Sequence, residues 1–171
     1  MTILFRARKT LLDDVRGDLE RRHAFAGERV GFFACRSSRL ENGGLLIVVA
    51  DYEPVADDDY VNERSAAAVM GSKAIRKAMQ RALNGGAGDI SLFHVHMHNH
   101  CGVPGFSEID LREDRKFVPD FFNVAPSVPH GAIVLSRNCA AGLCWTARGD
   151  EPHPVSRFEI VGAPFHVWGH S

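Results

Sequence analysis

Between Phe93 and Asp110 the chain reads FHVHMHNHCGVPGFSEID. Four of its nine histidines stand there at alternate positions, His94, His96, His98 and His100, with Ser107 and Asp110 following. On an extended strand, residues two apart project to the same side. Two such imidazoles can converge on one ion at Zn–N distances of about 2.0–2.1 Å. A third ligand must come from elsewhere, and an aspartate in the first turn of the next helix can fold back to supply it. Two histidines and one carboxylate leave a coordination position for water, the pattern of a catalytic rather than a structural zinc site.

Hydrolysis at such a site also needs a general base, usually glutamate. Upstream stand Glu28, Glu41, Glu53 and Glu63. Glu28 leads directly into the apolar VGFFAC stretch, at the mouth of the core. Glu41 adjoins an Asn-Gly-Gly turn, and Glu53 precedes a proline. A plainer reading exists for several of these groups. A lone strand histidine is usually a hydrogen-bonded polar residue, although a row of four is costly to bury without partners. Ser-x-x-Asp is also a helix-capping arrangement. The two roles are compatible, because a capping serine still presents its hydroxyl.

The elements that must carry these groups follow from periodicity. Leu11, Leu12, Val15 and Leu19 fall at helical spacing, predicting a helix over 10–22 with Thr10 as N-cap. Glu28–Arg36 and Gly43–Val55 read as strands. The acidic run 56–63 reads as a solvated loop leading to an Asn62 cap. A long helix is then expected, with Ala67, Met70, Ala74 and Ala78 on one stripe and Gly85–Gly86 as its stop. Asp89–His96 is a strand with Ile90, Leu92, His94, His96 and His98 on one face. Ser107–Val118 is a helix capped by Ser107 and ended by Pro119. Strands are expected at 131–136, 141–148 and 155–162, with a C-terminal segment docking on the core through Phe165 and Trp168. A dimer contact at that segment is the alternative. The order α-β-β-α-β-α-β-β-β defines an α/β protein with a mixed sheet flanked by helices.

The 171 residues suit one domain, and the net charge of −1 gives no push toward nucleic acid or membrane surfaces. No apolar run approaches the ~18 residues that span a bilayer. The opening MTILFRARKTLLDD does not read as a signal peptide, so a cytoplasmic protein is expected. Cys35, Cys101, Cys139 and Cys144 are scattered without a CxxC pair and read as free thiols. Cys101 differs from the others in lying inside the histidine stretch.

ERVGFFACR, followed about seventy residues later by HMHNHCGVPGFSEID, resembles the JAMM (MPN+/JAB) metalloprotease domain. That family carries a glutamate opening an early strand, then H-x-H, a spacer and S-x-x-D. Glu28 with Gly31, Phe32 and Phe33 matches the first part, and Ser107 with Asp110 the last. The match departs from the pattern in three places. Asn99 stands where proline usually follows the second histidine, and Cys35 where glycine is frequent. His96 and His98 leave eight residues before Ser107, one more than is usual, whereas His94/His96 leave ten and His98/His100 six. Spacing alone leaves the register open. His96 and His98 are favoured because they close the strand, with His94 deeper as a supporting residue.

The resemblance implies a single MPN/JAB-like (cytidine-deaminase-like) domain over 1–171. It also implies one Zn²⁺ held by His96, His98 and Asp110, with Glu28 as general base and Ser107 donating to the oxyanion. Family members of this kind cleave peptide or isopeptide bonds after ubiquitin-like proteins. Short bacterial JAB peptidases accompany ubiquitin-like conjugation systems, some of them in antiphage defence. The expected partner is therefore a ubiquitin-like protein or its conjugate, with no nucleic acid or membrane and with homo-oligomerisation open. Two rival expectations are a non-catalytic MPN-type scaffold and a zinc hydrolase of an unrelated small peptide or amide.

Overall fold

The computed structural model describes residues 1–22, 27–61, 70–85 and 89–169. Nine strands form one mixed sheet. β1 (Ile3–Arg8) is followed by α1 (Lys9–Leu19), then β2 (Val30–Arg39) and β3 (Leu45–Pro54). A short 3₁₀ turn at Asp57–Asp59 leads to α2 (Ser72–Asn84), β4 (Ser91–Met97) and α3 (Glu108–Phe121). β5 (His130–Leu135), β6 (Ala140–Trp145), β7 (His153–Pro154), β8 (Arg157–Val161) and β9 (His166–Gly169) complete the chain. The sheet order is β7-β6-β5-β4-β2-β3-β1-β8-β9. β4 pairs antiparallel with β2 and parallel with β5. Among the described residues no helix is long and apolar enough to cross a membrane.

β4 sits between two cores. Its odd residues Phe93, Val95 and Met97 join the cluster that includes Leu12, Val15 and Leu19 of α1. On the other face, Leu92 joins Ala74 and Ala78 of α2 and Phe117, Val118 and Phe121 of α3. Helices therefore cover both faces, and all seven residues of β4 are buried. His130 ties β4 to β5 from inside this second cluster. Its Nδ1 accepts the Leu92 N–H at 3.0 Å, and its Nε2–H donates to the Ala125 carbonyl at 2.9 Å. Both bonds need the neutral ring, and burial pushes its pKa down to about 4.

Several sequence expectations change. β1 was not anticipated: its six residues alternate buried and half-exposed, but ILFRAR runs straight into a helical pattern that obscures it. α1 starts and ends earlier than expected, with Arg8 rather than Thr10 at its N-cap. The long helix begins only at Ser72, because Met70 forms a bridge with Tyr60 and Gly71 is extended. The expected Asn62 cap and the stretch that follows it through 69 lie outside the described residues. The acidic run is not wholly solvated: Asp59 is buried, and Lys73 and Lys77, one turn apart on α2, clamp it at 2.9 and 2.5 Å. α3 continues through Pro119, since burial of Phe121 and Phe122 outweighs the backbone bond proline forfeits. At the C-terminus Trp168 packs against the core and Arg16 lies 5.2 Å over its ring, while Phe165 remains exposed.

A Cβ on Gly31 would lie 2.6 Å from Cζ of Tyr52, whose hydroxyl is anchored on Asp18 at 2.7 Å and whose ring packs on Phe33. Gly31→Ala should cost about 1–3 kcal/mol as an overpacked core, read by urea denaturation. The His130 pKa lies below its unfolded value, so the unfolded chain takes up a proton first and stability falls on acidification. From about pH 7.5 to about pH 5 this removes about 2 kcal/mol. His130→Gln should lose that part of the pH dependence in the same denaturation series.

Candidate metal centre

The antiparallel register of β2 and β4 brings distant residues together. Val30 lies opposite His96 and Phe32 opposite His94. Two residues before Val30, Glu28 therefore falls beside His98. Arg29 holds this entry in place. Its buried guanidinium donates to the carbonyls of Arg21 (2.9 Å) and Arg22 (3.3 Å) and pairs with Asp57 at 2.8 Å. Glu28, His96 and His98 each place a potential ligand atom within 4.8 Å of the others.

Asp110 approaches from α3. Its Oδ2 lies 3.6 Å from His96 Nε2 and 3.9 Å from His98 Nε2, and those two nitrogens are 3.2 Å apart. Ser107 and Asp110 form a full capping box. The Ser107 N–H donates to Asp110 Oδ2 at 2.7 Å, and Asp110 N–H donates to Ser107 Oγ at 3.2 Å. The oxygen that faces the two imidazoles is thus the one that Ser107 holds, so helix capping and carboxylate placement are a single arrangement. Burial pushes the Asp110 carboxyl upward, but His96 and the Ser107 hydroxyl and amide outweigh it and hold it well below the usual carboxylate range. Burial and the neighbouring His96 lower the pKa of His98, against the pull of Glu28 and Asp110.

The four histidines have unequal surroundings. His96 is 2% exposed and its ring lies 5.0 Å from that of His98. His94 lies deeper, its Nδ1–H donating to Asp114 Oδ1 at 3.1 Å. His100 is exposed in the turn, with its Nδ1 2.9 Å from the Cys101 carbonyl oxygen. Of the residues singled out in the sequence, Glu28, His96, His98 and Asp110 come together, Ser107 abuts Asp110, and His94 lies one step inward. Glu41 and Glu53 do not join them, and Glu63 lies outside the described residues. Beside Glu28 opens a cleft of about 530 Å³, lined by Arg21, Arg22, Met97, Asn99 and Arg137 among others. Arg137 Nε donates to Asn99 Oδ1 at 2.9 Å, which fixes the guanidinium at the cleft wall. The sequence reading missed Asp114, Asn99 and Arg137. Asp114 had a signal, since it follows Asp110 by one helical turn. Arg137, on a loop distant in sequence, had none.

No protein-family model and no curated protein sequence matches the chain. Among solved structures the chain is similar to the STIL N-terminal domain of Trichoplax adhaerens, at a TM-score of 0.38 and 8% identity. The match covers 82% of this chain and 41% of that one, so the chain spans less than half the length of that structure. At that TM-score the likeness carries no argument about function. Among the described residues the fold is a mixed nine-stranded sheet with three α-helices.

Ser107→Ala keeps the backbone N–H bond to Asp110 but removes the hydroxyl acceptor of the cap. It should lower stability by about 1 kcal/mol in chemical denaturation, with the fold retained by circular dichroism.

Proposed function

We propose that the chain is a zinc-dependent isopeptidase or peptidase of the JAMM/MPN+ kind, processing a ubiquitin-like protein at its C-terminal tail. The observation that carries this reading is the convergence of His96, His98 and Asp110, with Glu28 facing the same two imidazoles. The donor set fits zinc: two imidazole nitrogens and one carboxylate oxygen, with a second carboxylate left over. A mixed sheet flanked by helices is compatible with an MPN arrangement, and the order glutamate, H-x-H, S-x-x-D along the chain supports it. Bound there, zinc supplies Lewis acidity and a water of lowered pKa.

The chain's own residues divide the remaining work. Glu28 Oε accepts a proton from the attacking water and returns it to the departing amine. The Ser107 hydroxyl, which helps hold the Asp110 carboxylate in the cap, is the donor that turns to the oxyanion developing on the scissile carbonyl. An extended tail reaches Glu28 along the adjoining cleft, whose wall includes Asn99 and Arg137. A bacterial conjugation system, including one in antiphage defence, is the setting that the motif form favours.

The test is cleavage by the protein loaded with one equivalent of zinc. A ubiquitin-like fusion ending in Gly-Gly should be cut and generic peptides should not. Glu28→Ala should keep its zinc and lose about 10²–10⁴ in kcat. Asp110→Ala should lose zinc itself, measured by metal analysis after dialysis. Zinc-loaded protein that leaves every such fusion intact, and is indifferent to Glu28→Ala, defeats the reading. Equal cleavage of generic peptides points instead to a general zinc hydrolase, and wild-type protein unable to take up zinc points to a scaffold.

A further inference from the structure

Asp114 lies one helical turn beyond Asp110 on α3, and its side chain is 1% exposed. α3 runs back along β4: Asp110 meets His96 and His98, Asp114 meets His94, and Phe117 packs edge-on against the His94 ring at 5.1 Å. The pitches match. Four helical residues advance ~6 Å and two strand residues ~6.6 Å, so successive carboxylates on one helix face serve successive imidazoles on one strand face.

Among the described residues the layer carries unpaired polar atoms, His94 Nε2 and Asp114 Oδ2 in the inner pair and His96 Nδ1 in the outer one. A ligating histidine normally donates its second ring nitrogen to an acceptor, which sets its orientation. His96 Nδ1 is buried and has no hydrogen-bond partner among the described residues. Its ring is held by its neighbours instead: His94 at 5.7 Å, His98 at 5.0 Å and Phe106 at 6.3 Å. Of these, His94 is the one fixed by a buried carboxylate.

We infer that Asp114 is a positioning residue for the metal centre: by anchoring His94 it orients the His96 ring and sets the seating of α3 that delivers Asp110. This rests on the zinc reading above and adds to it a residue outside the motif. Asp114 touches none of the three converging ligand atoms, so its effect passes through His94 and the helix.

The experiment is a zinc competition titration against a chromophoric chelator, paired with denaturation of the metal-free protein. Asp114→Leu should weaken zinc binding by about 10–100-fold. Asp114→Asn keeps an oxygen to accept the His94 Nδ1–H and should return to within about threefold of wild type. Val118→Ala, a cavity in the same helix away from His94, should lower stability with zinc affinity unchanged. If Asp114→Leu does not fold, the double change His94→Leu with Asp114→Leu replaces it, since it leaves no unpaired buried charge, and the same loss is expected. Wild-type affinity in the folded leucine variant overturns the assignment. So does an equal loss in Val118→Ala, which would make the effect one of general stability. Wild-type protein that binds no zinc overturns the metal reading as well, and so separates the two failures.

Discussion

The docking of α3 along β4 is the contact on which the candidate centre depends. A helix presents one face every four residues or so, and a strand presents one face every two, and here the two steps are close in length. The sequence uses that coincidence twice, pairing Asp110 with His96 and His98 and Asp114 with His94. Neither partner could be buried alone at tolerable cost, because an unpaired carboxylate or imidazole in an apolar layer pays its full desolvation. The pairing turns two liabilities into one interface. Phe117 and Phe121 then seal it, against His94 and Phe32 respectively.

That interface is only as reliable as the register of β4. The strand is buried on both faces, with Phe93, Val95 and Met97 in one core and Leu92 with the histidines toward the other. A one-residue slip would drive the imidazoles into the apolar side and the phenylalanine out of it, so burial on two faces specifies register strongly. The same ladder places Val30 opposite His96 and thereby fixes how far Glu28 reaches. Arg29 adds a second restraint by binding two carbonyls at the end of α1 and the Asp57 carboxylate. The position of a residue at the candidate centre is thus set in part by the anchoring of its neighbour Arg29.

How much of this was legible in the sequence differs by type of interaction. The strands with β-branched or alternating patterns, β2 to β6 and β8, were readable from local periodicity, as was the Ser107 cap. β1 was not, because six residues running without a turn into α1 carry no punctuation. Asp59 was misread because a run of three aspartates resembles a solvated loop, and only the folded chain shows Lys73 and Lys77 converging on it. Pro119 was misread because a local rule about helix ends was overridden by the burial of Phe121 two residues on. At the site, strand alternation plus a helix start indicated that two of the histidines and an aspartate could converge, while the choice of His96 and His98 rested on their place at the strand end and on the family resemblance. The inner Asp114–His94 pair required knowing that α3 runs back along β4 rather than away from it, which no local pattern encodes.

The histidine row also runs against the grain of the fold. At the positions of His94 and His96, a chain selected only for stability would place an apolar residue, as it does at Phe93, Val95 and Met97 of the same strand. Two imidazoles in that layer are met by two aspartates on the facing helix and a capping serine that holds one of them, with the two rings 5.7 Å apart. Local consistency is broken at one strand end and supported by contacts from α3, while Leu92, Phe93, Val95 and Met97 of β4 pack as ordinary core residues. Departures of this kind concentrate where chemistry is done, since function is the benefit that offsets the loss of packing. The gradient along the strand fits that account. His94 is enclosed and hydrogen-bonded, His96 is enclosed with one nitrogen facing Asp110, His98 is half-buried, and His100 is in solvent. His96 and His98 are the two that lie close to Asp110, and both stand within 4.8 Å of Glu28.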